Sequence, residues 1–268
     1  MTNQDSIVLA RDVRKTCLKL VYAANASHIG GAFSVADVLS VLYARVLHYD
    51  AGNPEYTNRD RFFYSKGHAC TALYAVLKEA GFFSEEQLSA FSTNGSYFTT
   101  HVNHKVPGIE LSTGSLGHAL SVACGVALAG KRKLAPWNVY CVLSDGELDE
   151  GSNLEAILFA PHHALDNLTL IIDYNKIQSL GAVSDVLKLE PLAAKFDSFG
   201  WDVSEIDGHD HSAIFNALST QVSSAKPKVI IAHTIKGKGV DFMENQLAWH
   251  YKSPNQTQFD QAMQQLES

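Results

Sequence analysis

Short apolar runs rich in β-branched residues alternate with helical segments through the second half of the chain. This alternation restricts the fold more than any other feature. Residues 139–143 (VYCVL) and 168–173 (LTLIID) have the length and composition of strands buried on both faces. A strand-like run at 201–206 (WDVSEI) and a last one at 228–233 (KVIIAH) complete the series. Between them lie helical segments at 152–163, around 192–199 and near 211–223. The pattern predicts an α/β fold: a doubly wound, mostly parallel sheet whose right-handed crossovers place helices on both faces.

The first third reads as helical. Ala10, Val13, Cys17, Leu20, Val21 and Ala24 recur at steps of three and four, which is one face of a helix. Ser34 followed by Asp37 predicts a capping box opening VLSVLYARVL, and Ser84 with Gln87 predicts a second one. A small-residue helix is expected at 118–130, before Pro136. The stretch after Lys236 is polar and irregular and ends in a short helical tail. No linker divides the chain, so residues 1–268 are expected to form one domain.

Composition excludes several classes. Hydrophobic residues make up 46%, enough to bury a core, so disorder over most of the chain is ruled out. The net charge of −7, without a basic block, argues against a nucleic-acid partner. Charged residues are only 18%, which fits a chain that covers much of its outside with other subunits. Cys17, Cys70, Cys124 and Cys141 form no CxxC pair and are expected to be buried, reduced thiols. The N-terminus lacks the pattern of a signal peptide. No uninterrupted apolar window reaches the ~18 residues of a membrane span. The expectation is a soluble, cytoplasmic protein.

In an open α/β sheet, ligands bind beyond the carboxyl ends of the strands. The run at 139–143 leads into Ser144-Asp145-Gly146, and the run at 168–173 into Tyr174-Asn175-Lys176-Ile177. Adjacent strands would set Asp145 beside Asn175. A carboxylate, an amide oxygen and backbone carbonyls are hard ligands that suit Mg²⁺ or Ca²⁺. Gly146 allows close approach of a diphosphate, and the following helix offers unpaired N–H groups. Either turn alone is most often only a turn. Together, about thirty residues apart across one βαβ unit, they are more specific.

Asp145-Gly146 through Asn175-x-Ile177 resembles the thiamine diphosphate motif, and the surrounding segment is similar to transketolases. Asn25-Ala-Ser-His28-Ile-Gly30-Gly31, Ser65-Lys66-Gly67-His68-Ala69 and the stretch from His101 to Gly117 resemble that family's three histidine loops. His233-Thr-Ile-Lys236-Gly237-Lys238-Gly239 and Trp249-His250 resemble the end of its diphosphate-binding domain. The resemblance implies thiamine diphosphate as cofactor, with Asp145, Asn175 and the carbonyl of Ile177 on Mg²⁺, or Ca²⁺ in its place. It places His68, Gly114, Ser115, Leu116, Gly146, Glu147 and His250 around the cofactor. His28, His101 and His250 would face the sugar, and Glu150 would couple the two active sites of a dimer. The remaining histidines His48, His104, His162, His163, His209, His211 and His233 are expected on the surface or satisfied in the core.

The implied reaction is transfer of a two-carbon ketol unit between a ketose and an aldose. The cofactor carries the electron sink, and histidines titrating near the working pH manage protons. The family's pyrimidine-binding and C-terminal domains have no counterpart in this chain. The resemblance therefore implies the N-terminal subunit of a split transketolase, inactive until joined by a C-terminal subunit in an α₂β₂ assembly. Ser144 stands where the family has glycine, Ser115 where proline is frequent and His118 where glutamine is common, and these bear on the sugar. Two other readings are the α subunit of a thiamine-dependent 2-oxoacid dehydrogenase and a non-catalytic binding or assembly relative. The first shares the metal motif but not the histidine loops. The second is opposed by retention of Asp145, Asn175, Glu150 and the loop histidines.

Overall fold

The computed structural model describes residues 3–220 and 225–267. The chain runs α1 (Asn3–Ala24), α2 (Ile29–Val41), β1 (Arg61–Tyr64), α3 (Cys70–Glu79), α4 (Glu85–Leu88), α5 (Ala119–Lys133) and β2 (Val139–Ser144). It continues through α6 (Gly151–His162), β3 (Leu168–Tyr174), α7 (Val183–Val186), α8 (Leu192–Phe199), β4 (Asp202–Asp207), α9 (His211–Ser219), β5 (Lys228–His233) and α10 (Gln256–Glu267). The sheet has five strands among the described residues, in the order β1-β2-β3-β5-β4, and every pair is parallel. Of the helix expected near 211–223, the described part ends at Ser219, and residues 221–224 lie outside the described residues.

Alternation along the strands builds two cores, because successive side chains leave opposite faces. Tyr140, Val142, Ile171 and Ile230 pack with α1, α2, α3, α9 and α10. Val139, Cys141, Leu143, Leu170, Ile172 and Ile231 pack with α5, α6 and α8 on the other side. All four cysteines are buried and free.

The structure differs from the sequence reading at two places that matter for the site. β1 went unrecognised: its four residues, one arginine and three aromatics, show no alternation. The box expected at Ser34–Asp37 does not form, since α2 already begins at Ile29 and all 13 of its residues are buried. Ser34 and Asp37 are instead interior polar groups with partners. Ser34 Oγ donates to Asp173 Oδ2 at 2.6 Å, and Asp37 pairs with the Arg14 guanidinium. The box at Ser84 and Gln87 is present. The stretch Ile29–Val46 has mean hydropathy 1.4, but 83% of it is buried, so its apolarity serves the core.

Candidate active site

The carboxyl ends of four strands converge on one cleft of about 240 Å³. β2 and β3 are adjacent, with Ser144 level with Asp173, which sets Asp145 beside the turn carrying Asn175. Asp145 is 2% exposed, and its carboxylate accepts the N–H groups of Gly146 (2.8 Å) and Lys176 (2.6 Å). Burial and the nearby Asp173 push its pKa up to about 6. Asn175 Oδ1 accepts the Ile177 N–H at 3.2 Å, and Lys236 Nζ donates to the Ile177 carbonyl at 2.8 Å. Asp145, Asn175 and Ile177 therefore present a carboxylate, an amide oxygen and a carbonyl oxygen at one wall of the cleft. Such an all-oxygen set with one formal charge fits a hard divalent cation that keeps positions for phosphate oxygens and water. A buried carboxylate met only by backbone N–H groups gains from such a charge. Ser144 is the last residue of β2, so the extended backbone there needs no glycine.

Beneath this wall lies an ion pair that the sequence reading missed. Lys66 follows β1, is fully buried, and pairs with Asp173 at the end of β3. Lys66 Nζ also donates to the Gly31 carbonyl at 2.9 Å, and Thr234 Oγ1 donates to the other Asp173 oxygen. The Lys66 ammonium holds the Asp173 carboxyl below its ordinary range despite its burial. Residues from α2, β1, β3 and the end of β5 are thus fastened to one another under the cleft.

The histidine loops meet above. His28 lies 5.2 Å from His68, 5.1 Å from His250 and 6.1 Å from His101, between ring centroids. His28 starts α2 in a left-handed conformation, φ 72°, and its N–H donates to the His250 carbonyl at 2.8 Å. Burial and the ammonium groups of Lys66 and Lys236 depress these imidazoles, His28 to about 4 and His250 to about 3, with His68 also well below its ordinary value. This corrects the expectation of histidines titrating near neutrality: at pH 7 these three rings are neutral. Lys236 Nζ donates to His250 Nδ1 at 3.0 Å, which leaves the ring proton on Nε2. His101 is exposed, follows a different loop and is not among the residues lining the cleft. A Cβ on Gly114, where φ is 151°, would fall 2.7 Å from the His101 ring.

Other expected residues are placed less directly. Leu116 and Gly146 line the cleft with His68 and Gly114. Ser115 and Glu150 are exposed and are not among the lining residues. Glu147 was expected at the cofactor but is fully buried below the lining. It joins three loops, accepting from Ser65 Oγ and from the N–H groups of Gly117 (2.8 Å) and Ser144 (3.4 Å). The lining also includes Lys66, Lys236, Gln178, Ser179 and Tyr251, to which the sequence reading assigned no individual role. A lysine two or three residues past a strand end, as at Lys66 and Lys236, was the available signal.

The loop after β1 tolerates no side chain at Gly67, where a Cβ would lie 2.4 Å from the Thr113 backbone. Gly67→Ala should therefore part the His68 loop from the Gly114 loop. We expect a loss of about 2 kcal/mol, in the range of overpacked sites, read by chemical denaturation. Unchanged stability would show that the two loops are not in contact.

The family model described as "Transketolase, thiamine diphosphate binding domain" matches residues 6–266. An apulose-4-phosphate transketolase subunit from Phocaeicola vulgatus is 40% identical over 254 residues, which are 94% of this chain and 90% of that one. The 6-deoxy-6-sulfo-D-fructose transketolase subunit SqwG of a Clostridium species is 38% identical over 260 residues, 96% and 94% of the two chains. The transketolase crystal structure from Campylobacter jejuni superposes with a TM-score of 0.91 at 33% identity. That match covers 99% of this chain but 42% of the Campylobacter chain. With the strand-end cleft, the histidine loops and these matches together, the chain belongs to the transketolase family, in which it represents the thiamine diphosphate-binding domain.

Proposed function

We propose that this chain is the N-terminal subunit of a two-subunit transketolase. It would transfer a two-carbon ketol unit from a ketose or ketose phosphate to an aldose acceptor. The observation that carries this reading is the meeting of His28, His68 and His250 over an all-oxygen wall at the ends of β2 and β3, with His101 beside His28 at 6.1 Å. Asp145, Asn175 and the Ile177 carbonyl would hold Mg²⁺, with Ca²⁺ also compatible with the donors. His68, Gly114, Leu116 and Gly146 would hold the cofactor. Lys236 would turn its ammonium to the diphosphate. When bound, thiamine diphosphate supplies the electron sink for breaking and making the carbon–carbon bond.

The protein's part is to bind, orient and move protons. Neutral imidazoles each offer one donor and one acceptor. His250, with its proton on Nε2, would donate toward the carbonyl oxygen of the ketose, and His28 would exchange protons with its hydroxyls. His101 would bind the terminal hydroxyl of the ketol unit. Glu150, exposed at the start of α6, would serve contacts between subunits rather than the cleft itself.

A partner supplying the pyrimidine-binding and C-terminal domains would complete the site in an α₂β₂ assembly. Two relatives of nearly this length are called transketolase subunits, and the chain covers 42% of the Campylobacter transketolase. The test is to assay this chain with its separately expressed partner for ketol transfer between sugars and for decarboxylation of 2-oxoacids. Transfer is expected only from the pair. Decarboxylation would favour the 2-oxoacid dehydrogenase reading, and tight cofactor binding without turnover the non-catalytic one. In the active pair, His101→Ala should keep cofactor affinity within about threefold and lower ketose turnover by roughly a hundredfold, as loss of a positioned donor does. An equal loss of cofactor affinity would move His101 from the sugar to the cofactor.

A further inference from the structure

The fifth strand end, after β4, does not reach the cleft, yet it is tied to the residue that does. β4 pairs with β5 with Asp207 level with His233, so Gly208 and His209 run beside Thr234 and Ile235. The approach is close. The Gly208 N–H donates to the His233 carbonyl at 2.9 Å, and a Cβ on Gly208 would lie 2.4 Å from the Thr234 methyl. The Ile235 N–H then donates to His209 Nε2 at 2.8 Å. A backbone N–H has only a proton to give, so Nε2 must present its lone pair, and the ring proton must sit on Nδ1.

Nδ1 faces Asp37 Oδ2 at 2.6 Å. Asp37 is an interior residue of α2, fixed from two other sides. Arg14 of α1 pairs with it, and His211 Nε2 meets its other oxygen at 3.1 Å. The carboxylate therefore receives the Nδ1 proton and selects the tautomer that can accept from Ile235. Lys236, the next residue, enters the cleft and reaches the Ile177 carbonyl and His250. Its own carbonyl accepts from Asn245, and Gly237 donates to the Gly30 carbonyl, both at 2.9 Å. On the side preceding Lys236, the backbone is held by His209 at Ile235 and, one residue earlier, by the Thr234 N–H on the Tyr174 carbonyl (3.1 Å) and the Thr234 hydroxyl on Asp173.

We propose that His209 is a positioning residue for the cleft. Its Nε2 fixes the Ile235 backbone and so the direction in which Lys236 enters, while Asp37 holds the imidazole in the one tautomer able to do so. This rests on the reading in which Lys236 faces the diphosphate of the cofactor. His209 itself touches neither that group nor the sugar.

The experiment compares the full chain with H209A and H209Q. A glutamine amide carries one acceptor and one donor group at a spacing close to that of the two ring nitrogens, so it can bridge Ile235 and Asp37. Lys236 is 2% exposed, and its rate of reductive methylation, followed by peptide mass spectrometry, reports its placement without any cofactor. Lys228, 7% exposed at the start of β5, is the control at the opposite end of that strand. Affinity for Mg²⁺ with inorganic pyrophosphate, by titration calorimetry, is the second readout.

H209A should label Lys236 about tenfold faster, leave Lys228 unchanged and weaken pyrophosphate binding about tenfold, the scale of one lost hydrogen bond. H209Q should stay within about threefold of the parent on both. Unchanged Lys236 labelling in H209A would overturn the proposal. So would equal acceleration at Lys228, which would mean general loosening, or a glutamine variant as impaired as the alanine one. If the parent chain binds no pyrophosphate, the diphosphate reading fails, and the labelling arm still decides the positioning claim.

Discussion

Asp145→Asn should melt at a higher temperature than the parent chain when no cofactor is present, and should bind no thiamine diphosphate when it is. The two effects have one cause. The Asp145 carboxyl is buried beside Asp173 and raised to about 6, above the 3.8 of an ordinary Asp. A raised carboxyl pKa means that the folded chain holds this proton more tightly than the unfolded chain. Its contribution to stability therefore falls as pH rises from about 4 to 6 and stays at its lower level above that. By the usual conversion the deficit at pH 7 is on the order of 1–3 kcal/mol. The amide removes the charge and keeps the shape, so the stability difference between variant and parent should grow across that window and then level off. His28, His68 and His250 titrate in both proteins and cancel in the difference, whereas Lys236, lowered by burial to about 8 against the opposing Asp145 charge, titrates above that window. A divalent cation supplies the charge that Asp145 lacks, so Mg²⁺ with cofactor should stabilise the parent and leave the variant unmoved. Thermal melts across pH, with and without Mg²⁺ and cofactor, provide the measurement. A variant that melts lower than the parent would show that the buried charge of Asp145 is not destabilising, and one that still binds the cofactor would remove Asp145 from the cation site.

The largest loss of stability is expected from Lys66→Met. Removing one partner of a buried ion pair leaves the other charge uncompensated, which typically costs about 3–5 kcal/mol. For a chain of this size that is a fall of roughly 10 °C in melting temperature. Asp173 keeps Ser34 and Thr234 as hydroxyl partners, so protonation gives it a route to relief. In the parent, Lys66 depresses the Asp173 pKa, and the stability this brings is present above the unfolded value of 3.8 and lost as pH falls below it. In the variant, burial, the largest influence on this carboxyl, is opposed only by the Ser34 and Thr234 hydroxyls, and the same pKa rises. The gap between the two proteins should therefore narrow as pH falls. A gap that is small at neutral pH, or constant with pH, would show that the pair contributes little. Pairing Lys66→Met with Asp173→Leu should not restore the parent, because Thr234 would lose its acceptor and the Ser34 hydroxyl would keep only the Gly31 carbonyl.

Much of this arrangement was legible in the residues, for physical reasons that differ from place to place. The strands β2, β3 and β5 are longer than β1 and apolar on both faces, so composition alone marks them. Their ends could be located, and with them Asp145 and Asn175. β1 was invisible because Arg61–Tyr64, one arginine followed by three aromatics, shows no alternation, and only the loop after it was marked, through the resemblance of Ser65–Ala69 to a family loop. Asp37 was misread because Ser-x-x-Asp before an apolar run is the local signature of a helix start. Long-range partners, Arg14 and Asp173, are what place Ser34 and Asp37 inside the helix. Glu147 lies one residue from Gly146, and no local signal separates a carboxylate that faces a ligand from one that ties loops together. Neutrality of the histidines was likewise beyond reach, since it depends first on their burial in the assembled cleft and then on Lys66 and Lys236 arriving from other strands.

The complete enclosure of α2 has a consequence for biosynthesis. The apolar core around this helix draws on Val240, Met243, Trp249, Ala262 and Leu266, which leave the ribosome some two hundred residues after Ile29. Until they arrive, a greasy segment long enough to attract a bilayer or a neighbouring nascent chain has no finished shelter. Such late closure ties productive folding to nearly complete translation and makes the growing polypeptide a natural client for chaperones.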